Sequence, residues 1–394
     1  MLIRKNKDNG RGSIFLCLLL LAMSTTYAQQ QFYLTGRIET HVRSSDEEIQ
    51  SSCNEKDVWY CSEHDLPSTL DKMNIHHIDR VAQKSDSFEI SLPPMIHLYG
   101  PPHFAVGQGE LILQDDSDLS LLRFTSGKNF NFKSQIHLPD TTDAMQFEFI
   151  GPDRLLIGSY YNHHPADKKK DVSLTLYDTK RDKVIRNICP DVSSIAFSHL
   201  FNNYIDAGSN RIAVADAGSN KVYLFDLNLD CSDTVLIPST VIDAIIATDT
   251  IPFETHTDKV NPKVLIEKLK SYSNSISRIE GVYLLGTSQL YISVIPERKY
   301  NTEREVWCYD FIRHLFIGHE RVSESNQFCS TLKFPALSDY RMETSGRSLI
   351  ICRDDNYLKH LCQSEKEFES ERNLYYTKHE PYYDFLYYEL LPKP

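Results

Sequence analysis

Tyr160-Tyr161-Asn162-His163-His164-Pro165 gathers two phenols and two imidazoles in one short stretch. Tyr160, Tyr161, His163 and His164 could stack on a sugar or another planar ligand, or offer nitrogens to a metal. Asp115-Asp116-Ser117-Asp118 presents the hard oxygens that calcium takes, with Asp115, Asp116 and Asp118 as candidate ligands. It lacks the glycine and distal Glu of an EF-hand loop, and Asp and Ser are ordinary turn residues, so a plain turn is expected and no metal site. His76 and His77 are adjacent in a stretch, Leu66 to Val81, that reads as weakly helical; neighbours do not share a helix face, which disfavours a ligand pair.

The nine cysteines carry a second kind of chemistry. Cys17 falls in an apparent leader, which leaves Cys53, Cys61, Cys189, Cys231, Cys308, Cys329, Cys352 and Cys362. An even number in an exported chain points to disulfides, and the lack of any C-x-x-C pair argues against zinc. Cys352 and Cys362 flank the turn Asp354-Asp355-Asn356 on consecutive expected strands, and Cys53 and Cys61 bracket a short polar loop. Cys308 with Cys329 and Cys189 with Cys231 would complete one of the many connectivities that eight cysteines allow. The chain has no G-x-S-x-G, Walker loop, H-E-x-x-H or G-x-G-x-x-G, so no catalytic residue is named and no cofactor is implied.

Such residues need a scaffold, and Asn210 to Leu229, NRIAVADAGSNKVYLFDLNL, shows which one. It reads as two strands around Ala217-Gly218-Ser219-Asn220. Ile212 and Val214 point one way and Ala213 and Ala215 the other, so both faces are apolar, as in short sheets stacked between neighbouring sheets. Related phrases begin at Glu110, Arg154, Arg211, Gln289 and Arg347, at intervals of 44, 57, 78 and 58 residues. Blades of a β-propeller commonly run to about 40–50 residues, so these intervals fit blades with insertions. The longest could hide another blade, as could the first hundred residues. The expectation is an all-β chain forming one propeller over residues 29–394. Six blades are favoured, with five or seven also compatible.

Gln31 to Arg43 reads as a terminal strand that completes the last blade beside Tyr382 to Leu391, leaving no sheet edge open. Asn261-Pro262 opens a short helical insertion over residues 262–272, because Asn caps and Pro starts helices well.

Residues 1–28 have the basic start, apolar run and Thr26-Tyr27-Ala28 end of a secretory signal, and the run is too short to span a bilayer. Cleavage near Ala28 would give a secreted or periplasmic protein without a membrane span. The whole chain carries 42 basic and 54 acidic residues, a charge of −12. Losing the leader removes four basic residues and one acidic residue and leaves −15. Such a surface repels phosphate backbones, and the one dense basic cluster, Lys168-Lys169-Lys170, sits on an expected loop; nucleic acid is therefore excluded as a partner.

At the central hairpin and the phrases RLLIGSYY, VSLTLYD and RSLIICRDD, the chain resembles exported six-bladed propellers of the TolB-like and NHL-like type. The resemblance covers roughly residues 31 to 394 and implies a binding scaffold; its motifs mark strands, so it carries over no functional residue. The functional expectation is a monomeric binding module outside the cytoplasm, meeting a protein or glycan through loops at one mouth. The alternative is a propeller hydrolase or lyase acting on carbohydrate or another small molecule, with Tyr160 to His164 at its site. A deep axial pocket with converging carboxylates or His would favour the enzyme, and a flat, aromatic-rimmed mouth the binder.

Overall fold

The computed structural model describes residues 30–43, 49–66, 71–94, 96, 98, 101–115, 120–127, 129–137, 142–161, 172–190, 205–215, 220–238, 278–295, 303–323, 329, 332, 334, 342–353 and 382–392. Apart from a 3-10 turn at Glu63–Asp65, every regular element among them is a strand. The opening strand β1 (Gln30–Arg43) belongs to the last sheet. Blade 1 then follows as β2 (Ile49–Cys53), β3 (Asp57–Ser62), β4 (Lys72–Asp79) and β5 (Lys84–Ser91). Blade 2 is β6 (Phe104–Gly107), β7 (Glu110–Gln114), β8 (Leu121–Thr125) and β9 (Asn131–Ile136). Blade 3 is β10 (Thr142–Gly151), β11 (Arg154–Tyr161), β12 (Val172–Asp178) and β13 (Lys183–Ile188). Blade 4 is β14 (Ile205–Ala207), β15 (Ile212–Ala215), β16 (Lys221–Phe225) and β17 (Cys231–Leu236). Blade 5 is β18 (Arg278–Leu285), β19 (Gln289–Ile295), β20 (Glu303–Asp310) and β21 (Leu315–Ser323). Blade 6 is β22 (Met342–Ser345), β23 (Ser348–Arg353) and β24 (Tyr382–Pro392), with β1 as its outermost strand.

The first strands β2, β6, β10, β14, β18 and β22 touch in cyclic order, with β22 returning to β2, so the sheets close around an axis. This is an all-β, six-bladed propeller. The chain's two ends meet in one sheet, where Phe32 lies opposite Leu390 and Ile38 opposite Phe385.

Two-sided burial holds the ring together. All of β15 is buried, and its side chains join a cluster with Leu156 and Leu176 of blade 3 and Val282, Leu284 and Ile292 of blade 5. Similar clusters fill the junctions of blades 5 and 6, 6 and 1, 1 and 2, and 2 and 3. Close approach between blades depends on glycine in places: a Cβ on Gly158 would collide with Ile205 Cδ1 of the next blade.

Polar contacts span the same junctions. Fully buried Arg123 on β8 donates from Nη2 to both Glu110 oxygens at 2.8 and 2.9 Å and to the Thr179 carbonyl, and from Nη1 to Asp182 of blade 3. Arg80 bridges blades 1 and 6, donating to Glu389 at 3.1 Å and lying over the Tyr387 ring.

The five recurring phrases coincide with the second strands β7, β11, β15, β19 and β23, and the sixth second strand is β3. The extra blade therefore sits in the first hundred residues as β2 to β5. Leu66 to Val81 is not helical where described, because Lys72–Asp79 forms β4. Met73 and Ile75 alternate inward there, and strand pairing seats His76 against Tyr60 and His77 against Trp59. The described strand that pairs with β23 on its outer side is β24, because the aromatic run Tyr382–Pro392 pairs with both β23 and β1; the stretch from Asp354 to Cys362 lies outside the described residues. The expected helix at 262–272 lies outside the described residues.

Arg123→Met strips a buried cation from two carboxylates and should lower unfolding free energy in urea by on the order of 3 kcal/mol. Adding Glu110→Gln should restore part of that loss. A single-variant loss too small to measure would show that the cluster does not hold blades 2 and 3 together.

Candidate functional site

The two mouths of the propeller differ. At one, every described connection is a tight turn, and all described residues with left-handed backbone lie in these turns: Gln83, Gln108, Gly109, Asp182, Leu229, Gly286, His314 and Gly346. At the other mouth the inner strands begin and the second strands end, and the longer connections, such as 162–171 and 354–381, leave the blades there. Functional groups on propellers concentrate where loops are long and a rigid scaffold holds their ends.

The first strands converge on a cavity of about 190 Å³ on the axis. Blade 1 contributes Gln50, Ser51, Ser52 and Cys53; blade 2 contributes His103 and Phe104; blade 3 contributes Gln146, Phe147 and Glu148. Asp206 enters from blade 4, and Met342, Glu343 and Thr344 from blade 6. Three carboxylates from three blades therefore face one small space, with no Lys or Arg among the described lining residues.

Each carboxylate is held differently. Asp206 is buried and accepts the Leu284 N–H and the Thr344 hydroxyl, whose Oγ1 lies 2.8 and 2.9 Å from its two oxygens. Thr344 belongs to blade 6 and Asp206 to blade 4, so this bond runs between non-adjacent blades. Glu343 accepts the Cys53 N–H at 2.6 Å and the Ser51 hydroxyl at 3.1 Å, which ties blade 6 to blade 1. Glu148 accepts the Ala207 N–H, while its Oε1 is buried without a hydrogen-bond partner.

Burial disfavours charge on these acids, and crowding adds to it. Burial pushes Asp206 up from 3.8 to about 7, against the pull of its N–H and hydroxyl donors. Burial, then repulsion from Asp206 and Glu343, raises Glu148 well above the carboxylate range. Burial and Glu343 likewise push the Cys53 thiol up, so Cys53 is no thiolate nucleophile at neutral pH. The arrangement can accept hydrogen bonds, attract a positive group and hold or release a proton near neutrality.

The residues singled out from sequence are mostly elsewhere. Tyr160 and Tyr161 end β11 opposite Asp143 and Thr142 at the start of β10, so their insertion departs at the mouth where the inner strands begin. His163 and His164 lie outside the described residues, as do Asp116 and Asp118. Asp115 is buried, and its N–H donates to the Ser120 carbonyl to close the turn after β7. Among the described residues no group of three His, Cys, Asp or Glu is placed to hold a metal ion. His76 and His77 face Asp65 at 2.7 Å and Asp57 at 2.8 Å, each a separate side-chain pair.

No disulfide joins the seven described cysteines; Cys362 lies outside them. The register sets Cys53 opposite Val58 and Cys61 opposite Gln50, three ladder steps or roughly 10 Å apart. Those two thiols do not face one another. Cys308 and Cys329 share one buried cluster and both act on Tyr291. Cys189 follows β13, and Cys231 opens β17 on the next blade.

The axial acids were missed because nothing local marks them among 54 acidic residues. A positional signal exists. Glu148 precedes Arg154, Asp206 precedes Ile212 and Glu343 precedes Ser348 by five or six residues, so each sits at a matching place on the inner strand ahead of a recognisable second strand.

No protein-family model matches the chain, and no curated protein matches it. Solved structures are similar to it in fold to differing degrees. A member of the DUF4221 family from Bacteroides vulgatus superposes with a TM-score of 0.51 at 10% identity, covering 93% of this chain and 100% of that one. A candidate exported protein of Bacteroides fragilis gives 0.49 at 12% identity, covering 90% and 98%. The calcium-binding protein regucalcin from Agrobacterium tumefaciens gives 0.41 at 10% identity, covering 92% and 97%. At such identities the likeness to the first concerns the fold alone. No helix among the described residues is long and apolar enough to cross a membrane.

The raised Asp206 has a consequence for stability. Between 3.8 and about 7 the folded chain keeps a proton that the unfolded chain releases, so its contribution is complete below that interval and lost as pH rises through it. Glu148 and Tyr283 are described titratable groups that interact with it. The lowered acids Asp65, Asp182, Asp226 and Asp233 act with opposite sign at lower pH. Stability of Asp206→Asn, followed by urea unfolding, should fall less steeply than the parent between about pH 5 and pH 8. Parallel curves would place Asp206 in water.

Proposed function

We propose that the protein is an exported binding module that holds a small polar solute in its axial cavity. The observation that carries this is the convergence of Glu148, Asp206 and Glu343, with His103, on one half-open cavity from four blades. The site thus moves from the loop to the axis, and the Tyr160, Tyr161, His163 and His164 insertion becomes a feature of the approach. A cavity of about 190 Å³ is below the usual range for drug-sized ligands, roughly 300 Å³ and above, so a small solute suits it better than a glycan chain. Export rests on the leader of residues 1–28, and secretion or a periplasmic site follows from it. Membership of the TolB-like or NHL-like group rests on the strand phrases alone.

Two raised carboxyls side by side also suit acid–base chemistry, because Asp206 at about 7 could give or take a proton at neutral pH next to Glu148. This favours a hydrolase or lyase as the second reading, with Glu148 and Asp206 rather than the loop at its centre.

Thermal shift against a set of small sugars, amines and carboxylic acids separates these readings. Binding without turnover is expected, and Asp206→Asn should weaken it about tenfold or more, whereas deleting residues 162–170 should alter its rate and leave most of its affinity. Product formation from a bound solute, lost in both Glu148→Gln and Asp206→Asn, would decide for the enzyme. Stabilisation abolished by the loop deletion and unaffected by the axial variants would put the site back on the insertion.

A further inference from the structure

We propose that Cys53 of blade 1 and Cys352 of blade 6 are joined by a disulfide in the exported protein, and that this bond clasps the junction where the ring closes. The bond is independent of what the axis binds; its oxidising surroundings follow from the export read in residues 1–28.

Strand register brings the two residues to one junction. On blade 6, Glu343 lies opposite Ile350 and Ile350 opposite Tyr387, so these side chains share a face, and Cys352, two residues beyond Ile350, shares it too. That face looks at blade 1: Ile350, Cys352, Phe385 and Tyr387 pack in one cluster with Val58 and Tyr60, and Cys53 lies against it. The end of β2 is fixed over the same row. The Cys53 N–H donates to Glu343 Oε2 at 2.6 Å, and the Tyr387 hydroxyl donates to the Asn54 carbonyl at 3.2 Å. Glu343 is on β22 and Tyr387 on β24, so these two bonds set Cys53 across from the strand between them, β23, which carries Cys352. Cys352 is close enough to act on the Cys53 thiol.

The other described cysteines face elsewhere. Cys61 packs between blades 1 and 2, and Cys308 and Cys329 between blades 5 and 6. Cys189 follows β13 of blade 3, and Cys231 opens β17 of blade 4. Cys53 ends β2 and heads a turn, so drawing it onto Cys352 breaks no strand.

Buried in the folded chain, Cys53 is a poor thiolate, so the bond forms as the ring closes, before burial is complete. A protein or small-molecule disulfide is the oxidant. One cysteine thiolate attacks it, giving a mixed disulfide and releasing one thiol of the oxidant; the second cysteine thiolate then displaces the other. Two electrons pass to the oxidant, both thiol hydrogens end on it, and one S–S bond is exchanged for another. Nearly the whole chain lies between the two cysteines, and a link across so long a loop strongly restricts the unfolded chain.

The test uses the full chain exported by its own leader, unfolded in iodoacetamide without reductant and cut with trypsin. Cleavage after Arg43, Lys56, Arg347, Arg353, Lys359 and Lys366 puts Cys53, Cys61, Cys352 and Cys362 on separate peptides. A linked pair of residues 44–56 and 348–353, released by dithiothreitol, is expected. Dithiothreitol should also lower the Tm by about 5 °C or more, and Cys53→Ser and Cys352→Ser should each show that loss without reductant and none of it again on adding reductant. Alkylated, unlinked Cys53 and Cys352, or either one linked to Cys61 or Cys362, overturns the bond. A linked pair whose reduction leaves the Tm unchanged overturns the clasp. Should the variants fail to fold, the peptide map and the reduced parent protein decide.

Discussion

Burial of both faces of short antiparallel sheets is the constraint on which everything else in this molecule depends. A sheet such as β14 to β17, apolar above and below, cannot stand alone in water; it needs a neighbour on each side. Six such sheets satisfy one another only if the ring closes, and closure falls to the pairing of the chain's first strand with its last. Phe32, Ile38, Phe385 and Leu390 bury the two ends together, and Arg37 adds an ion pair to buried Asp384 within the same sheet.

Closure creates the axis and decides what can line it. The cavity is lined by hydroxyls, amides and acids of the inner strands, mixed with Phe104, Phe147 and Met342, which also belong to the clusters between blades. The low dielectric that strengthens contacts between blades raises the cost of charge in the middle. Asp206 is held there by the Leu284 and Ala207 N–H groups and the Thr344 hydroxyl, and Glu148 by the Ala207 N–H alone. This is an expensive arrangement for stability alone. Buried Arg123 shows the other outcome: its guanidinium has found two carboxylates and a carbonyl, and the cluster serves to join blades.

The second strand of each blade was the readable part of the sequence. RLLIGSYY and RIAVAD stand out because both alternating sets of side chains are apolar, a pattern that only stacked sheets produce. Blade 1 was obscured because DVWYCS and KMNIHHID carry His, Asp and Asn, which tertiary pairing accommodates through the Tyr60–His76 and Trp59–His77 stacks. The partner of β23 was misplaced because a long connection separates it from Tyr382, and a nearer stretch offered a plausible turn. The axial acids had no local signal at all. A glutamate on an inner strand looks like any surface glutamate until the register shows that it faces the axis, and only the repeat of its offset before successive second strands could have exposed it.

The central claim is that the inner strands bring carboxyls together where burial disfavours their charge. Titrating the Asp206 side-chain carbon by carbon-13 NMR in the folded, ligand-free protein measures this directly. A midpoint near 7 is predicted for Asp206, with a second carboxyl, from Glu148, titrating abnormally high beside it. A midpoint near the ordinary value of 3.8 would mean that water reaches the acid freely and that burial does not disfavour its charge.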